Sequence, residues 1–208
     1  MTRIFLLLGL GLCLVAGIAR STEDAAAELA AELDQLQHIQ GQFLQRQYAA
    51  SGGDLVGESR GHFRLLRPGY FAWEITEPDS QLIIADLEHL WHFDRDLETV
   101  TRRPVAGREE VSPLQVLGGD TGALAKSYQV EKVGAGRYQL SPLEGTNPGF
   151  ESLVIILANG QFSGMEIHDK LGQRLFIEFT AVDVETSLVP ADFTFTPPEG
   201  ADLFYHDQ

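Results

Sequence analysis

Arg67-Pro68-Gly69-Tyr70-Phe71-Ala72-Trp73-Glu74-Ile75-Thr76-Glu77-Pro78-Asp79 is the stretch on which the fold turns. Phe71, Trp73 and Ile75 alternate with smaller or polar neighbours, the period of two expected of a strand with a buried face. A proline-bearing turn bounds it on each side. Working outward, residues 57–66 form a second strand-like run that ends at Arg67-Pro68-Gly69, and residues 43–48 a third, closed by the breaker Ser51-Gly52-Gly53-Asp54. On the other side, residues 81–85, 89–93 and 98–103 complete a first sheet-forming block.

The second half repeats the theme with predicted strands at 128–133, 137–142, 153–157, 161–167, 174–184 and 193–196. Asn159-Gly160 between two apolar runs is a strong two-residue hairpin signal. Between the halves, Ser112-Pro113 supplies an N-cap and a first-turn proline. Leu114, Val116 and Leu117 follow, Gly118-Gly119 ends that helix, and residues 120–126 form a further turn or two. Near the start, Ser21-Thr22-Glu23-Asp24 reads as the cap of a helix. Leu29, Leu33, Leu36 and Ile39 form its apolar stripe, and it is expected to stop near Gly41. About ten strands are too many to lie flat without curling, so the expectation is one α+β domain with helices covering the concave side.

The 208 residues suit one domain plus a targeting segment. Residues 1–19 read as a cleavable signal peptide: Arg3, an apolar run from Ile4 to Val15, then small residues at Gly17 and Ala19. Residues 20–208 would be the mature, exported domain. Cys13 is the only cysteine and lies inside the apolar run, so the mature chain is expected to carry neither lipid anchor nor disulfide. The formal charge of −15 argues against nucleic acid and against docking on an anionic membrane surface.

Catalytic patterns are weak. His89 and His92 are three apart on a strand and point to opposite faces, and the other histidines are scattered, so no metal or other cofactor is expected. Gly57-Glu58-Ser59-Arg60-Gly61 has the Gly-x-Ser-x-Gly spacing but lies within the strand-like run 57–66 rather than at a strand-to-helix elbow, and there is no phosphate-binding glycine loop. An unrecognised pair among the thirty acidic residues would be needed for a periplasmic hydrolase, one alternative. A lipid-binding regulator on the same scaffold is another. What stands out is aromatic surplus on predicted strands: Phe43, Phe63, Phe71, Trp73, Trp91, Phe93, Phe162, Phe176 and Phe179. The plain reading is a hydrophobic core; the sharper one is that part of this surface lines a cavity for an apolar ligand.

Four segments together resemble the periplasmic outer-membrane lipoprotein carriers, the LolA family. They are Gly41-Gln42-Phe43-Leu44-Gln45, the run from Arg67 to Trp73, Gln81 to Asp86 leading to Leu90-Trp91-His92-Phe93-Asp94, and Phe193-Thr194-Phe195-Thr196-Pro197-Pro198-Glu199-Gly200. The resemblance implies an unclosed antiparallel β-barrel of about ten to eleven strands with a helical lid over an apolar cavity. It implies a non-enzymatic, monomeric periplasmic chaperone. Such a chaperone takes acylated lipoproteins from an inner-membrane lipoprotein-releasing ABC transporter to an outer-membrane, LolB-like acceptor. Arg67 matches the arginine that holds the lid shut, Phe71 an apolar contact position, and Trp73 and Trp91 wall aromatics. With the helix leucines Leu33, Leu36, Leu114 and Leu117, the residues Phe43, Phe63, Phe71, Trp73, Trp91 and Phe93 are the expected acyl-chain cavity. One departure is plain: where the family usually has an Asp-Gly turn, this chain has Asp86-Leu87-Glu88, so that hairpin must be built differently.

Overall fold

The computed structural model describes residues 16–51, 53–105, 113–145 and 149–206. Cys13 and most of the predicted signal segment lie outside them, as does the predicted cap Ser112.

The strands are β1 (His38–Tyr48), β2 (Leu55–Leu66), β3 (Tyr70–Glu77), β4 (Gln81–Ala85), β5 (His89–Asp94), β6 (Thr99–Pro104), β7 (Tyr128–Gly134), β8 (Arg137–Pro142), β9 (Ser152–Ala158), β10 (Gln161–His168), β11 (Arg174–Asp183) and β12 (Asp202–Tyr205). They form one sheet in the order β12-β6-β5-β4-β3-β2-β1-β11-β10-β9-β8-β7. Each half is a run of antiparallel neighbours, and β1 joins them by pairing with both β2 and β11. β12 lies parallel to β6 and forms one edge; β7 forms the other, so the barrel is unclosed.

Register shifts in the β1–β11 and β2–β3 ladders curl the sheet around its inner face. At the second of these, a Cβ on Gly61 would collide with the Glu74 carbonyl, so only glycine lets β2 and β3 approach this closely. The Asn159-Gly160 turn has positive φ at both residues, 53° and 74°, as a two-residue hairpin demands. The unusual Asp86 hairpin is held by its own side chain: Oδ1 of Asp86 accepts from the backbone N–H of Glu88 and His89, each at 2.7 Å.

Helix α1 (Ala16–Asp34) packs over β7, α2 is Pro113–Gly118, and a 3-10 turn (Thr121–Ala123) leads into α3 (Leu124–Ser127). The largest apolar cluster joins α1, α2 and α3 to the inner faces of β1–β3 and β7–β11. A smaller one sits on the outer face, where a 3-10 turn (Pro190–Phe193) seats Phe193 against Ala72 and Ile84. Among the described residues no helix is long and apolar enough to cross a membrane.

Four expectations need correction. Ser21 does not cap α1 but lies within it, because Ala16, Ile18 and Ala19 before it sustain the helical ladder. The helix ends at Asp34, not near Gly41; Leu36 is in the connecting turn and Ile39 already on β1, both buried. Residues 194–196 are extended but unpaired, whereas β12, unanticipated, does pair. Two prolines after Thr196 remove donors, and the apolar side chains of Phe193 and Phe195 pack on the sheet face instead of entering a ladder. The strand number is therefore twelve.

Candidate functional site

Odd-numbered residues of β1 and β3 face inward. Phe43 lies on the indole of Trp73, with ring centres 3.7 Å apart and planes 19° from parallel. Phe63 and Phe179 complete the group, their rings 4.8 Å apart. From above, α1 contributes Leu29 and Leu33, both fully buried, followed by Leu36 from the turn, while α2 contributes Val116 and Leu117. Of the expected cavity residues, Leu33, Leu36, Phe43, Phe63, Trp73 and Leu117 thus meet in one apolar interior, closed here by the helices.

The other expected residues fall elsewhere. Phe71 is buried in a separate inner cluster with Ala85 and Leu90. Trp91 and Phe93 have the opposite parity and sit on the outer face, each against Phe195 of the C-terminal segment at 5.5 and 5.9 Å between ring centres. The side chain of Leu114 lies outside the described residues, although its backbone belongs to α2. His92 bonds to Gln81 at 3.2 Å while His89 lies beside Trp91 on the other face.

Arg67 is the one charged residue buried among the described residues, at 7 % exposure. It stands at the end of β2, where its N–H donates to Gln37 O and its Nη1 donates to the carbonyl of Gly119, just past α2, at 3.0 Å. Gly69, at φ 90°, donates its N–H to Gly118 O at 2.7 Å. The turn between β2 and β3 therefore takes the two carbonyls left open at the C-terminal end of α2. Nearby, Thr121 Oγ1 donates to Asp34 Oδ1 at 2.6 Å, tying the 3-10 turn to the end of α1. Burial draws the Arg67 guanidinium down to about 10, opposed by the negative charge of Asp34. Its Nε and Nη2 have no acceptor among the described residues. Each such orphan costs about 1–3 kcal/mol, so the bond to Gly119 is made by a cation that is only partly satisfied.

Helix α1 is tied differently. Glu28 Oε1 takes a hydrogen bond from Lys132 Nζ at 2.5 Å, and Tyr138 OH donates to Glu32 Oε1 at 2.7 Å. The lysine holds the Glu28 carboxyl below its ordinary range, while burial and then Glu32 push the Tyr138 phenol up. Sequence reasoning missed this pair of ties; acidic residues at 28 and 32, one helical turn apart, were their only trace.

Surface clefts divide by face. Those of about 320 and 460 Å³ are on the outer face, among Gln42, His62, Arg64, Glu74 and Glu178, and are polar. One of about 250 Å³ opens at the inner face, at the far end of β1 from Arg67.

Residues 34–196 match the model of the family described as outer membrane lipoprotein carrier protein LolA. The outer-membrane lipoprotein carrier protein of Alkalilimnicola ehrlichii is 34 % identical over 197 residues, covering 93 % of this chain and 91 % of that protein. The protein of the same name from Chromohalobacter salexigens is 34 % identical over 187 residues, covering 89 % of each. A putative outer membrane lipoprotein-sorting protein domain from Vibrio parahaemolyticus superimposes with a TM-score of 0.53 at 12 % identity, covering 84 % of this chain and 97 % of that one, which shows a shared fold. An apolar interior under short helices, a buried arginine at the lid and this similarity along almost the whole chain converge: the chain belongs to the LolA family of outer-membrane lipoprotein carrier proteins.

Proposed function

We propose that this protein is a non-enzymatic periplasmic carrier that shields the acyl chains of lipoproteins between the two membranes. It receives them from an inner-membrane ABC transporter and hands them to an outer-membrane acceptor. Residues 1–19 direct export and are removed. Each methylene kept from water is worth about 0.8 kcal/mol, so one chain of about fifteen carbons costs on the order of 12 kcal/mol to expose. A soluble escort needs an oily interior of its own. Leu33, Leu36, Phe43, Phe63, Trp73 and Leu117 form that interior.

The observation that carries this reading is Arg67, buried over the apolar interior and bonded to the carbonyl that ends α2. Cargo must displace the lid to enter, and reclosure helps to expel it. A latch whose Nε and Nη2 find no acceptor among the described residues keeps closure only marginally favourable, so the carrier loads when work is done upstream and unloads without a nucleotide of its own. Arg67→Leu removes the bond to Gly119 and is expected to leave cargo retained. The test is transfer of an acylated lipoprotein from loaded carrier to acceptor, with the variant slower by about tenfold or more. Transfer as fast as that of the unaltered chain would remove the latch from the account.

A further inference from the structure

The inner face changes character along β1. Ile39 and Phe43 are buried in the core, but the next inward positions are Gln45 and Gln47. By the strand repeat these amides stand about 7 and 14 Å beyond Phe43, toward the end of the half-barrel opposite Arg67. There they line the cleft of about 250 Å³ together with Ile167, Leu175 and Gln173. Ile167 belongs to the core cluster and Leu175 packs against it, so the floor of the cleft is continuous with the apolar interior.

The glutamine amides of this cleft are neutral and incompletely used. Gln47 Nε2 donates to Gln173 Oε1 at 2.6 Å. The amide of Gln45 and the Nε2 of Gln173 have no hydrogen-bond partner among the described residues. The two charged residues at the rim are already committed. Asp169 Oδ1 accepts from the N–H groups of Leu171 and Gln173, both at 2.8 Å, and the Arg174 guanidinium lies over the rings of Tyr48 and Phe176, 5.9 Å from each. A phosphate or free carboxylate would meet the Asp169 charge with no uncommitted cation lining the cleft among the described residues. An ester carbonyl, which only accepts, or an amide, which does both, matches what glutamine offers.

We propose that this cleft binds the neutral head of the acylated cargo, the glyceryl esters and N-acyl amide of a lipidated cysteine. Gln45 and Gln173 donate to its carbonyls, and the hydrocarbon passes over the cross-strand pair Ile167 and Leu175 into the interior. The inference rests on the carrier reading and deepens it, by giving the interior a polar mouth that selects acylated cysteine over other lipids.

The test measures dissociation constants of the purified chain for three probes: a synthetic N-palmitoyl, dipalmitoylglyceryl-cysteine peptide, its dialkyl ether analogue lacking the ester carbonyls, and phosphatidylglycerol. The unaltered protein should prefer the ester to the ether peptide by about fivefold to tenfold, as expected for one or two hydrogen bonds, and bind phosphatidylglycerol more weakly than either. Gln45→Leu with Gln173→Leu should abolish the preference while ether binding persists. Gln45→Ala alone, which spares the Gln47–Gln173 bond, should halve it or more and serves if the double variant does not fold. Equal affinity for ester and ether, a preference that survives in the variants, or phosphatidylglycerol bound as tightly as the peptide would overturn the head subsite and leave the carrier reading standing. No binding of either peptide by the unaltered chain would overturn both.

Discussion

The two faces of this sheet each carry an aromatic cluster, and the clusters differ in what covers them. On the inner face, Phe43, Phe63, Trp73 and Phe179 lie beneath α1 and α2, separate elements joined to the sheet through apolar contact and a few polar ties. On the outer face, Trp91, Phe93 and Phe195 lie beneath a segment pinned at both ends. Asp183 caps the turn before it through the N–H groups of Glu185 and Thr186, and β12 pairs with β6 after it. In the proposed carrier, similar side chains have opposite uses: the outer cluster seals, and the inner one is available when its cover lifts. Burial alone does not distinguish a core from a container; the attachment of the lid does.

The largest effect should come from removing the outer plug. Phe193 is 1 % exposed, and Phe193→Ala should cost about 3–5 kcal/mol in chemical denaturation, by lost contact and residual cavity. The folded fraction should still bind acylated peptide with unchanged affinity; if binding is lost in step with outer packing, the two faces are not separate in function. A middling effect is expected where α1 is tied. Tyr138→Phe removes the bond to Glu32 and should cost about 1 kcal/mol, measured in the same way, and a neutral result would mean that α1 is held by its leucines alone.

The smallest effect is electrostatic. Glu28 is held down by Lys132, and Asp183 by Thr186 and then Gln40. Both carboxyls have folded values below their unfolded ones, so each adds stability above the unfolded value that is lost as pH falls through the folded one. The denaturation midpoint should therefore decline on acidification below about pH 4, and Glu28→Gln should flatten part of that decline. A midpoint unchanged between about pH 5 and pH 3 would show that neither tie matters.

These contrasts mark where the sequence is legible. The alternation of Phe71, Trp73 and Ile75, the Asn159-Gly160 turn and the helix that begins at Pro113 are local signals, and the structure keeps them. Arg67 stood out through family likeness alone, since a place before a proline at a strand end equally suits a solvated arginine, and its burial is set by contacts with α2 that are remote in the chain. The face of Trp91 was not legible: both faces of β5 carry a cluster, the more apolar parity with Trp91 and Phe93 lies outside, and Leu90 faces in, so alternation does not say which side is the interior. Nor was the end of α1, because Leu36 and Ile39 fit a helical step, and the strand that claims Ile39 pairs it with Leu65 of β2 and runs on against β11, remote in the chain. The register of β12 against β6 is equally non-local. The amide mouth at Gln45 and Gln47 reads in sequence as ordinary polar strand positions until the curl brings Gln173 beside them.

The two tryptophans, one on each face, allow the central claim to be tested directly. Trp91→Phe leaves Trp73 in the inner cluster as the sole indole, and Trp73→Phe leaves Trp91 in the outer one. Titration with an acylated cysteine peptide carrying bromine along its chains should quench the fluorescence of Trp73 strongly and that of Trp91 hardly at all. Equal quenching of both, or quenching of Trp91 alone, would contradict an interior that opens to hydrocarbon beneath α2.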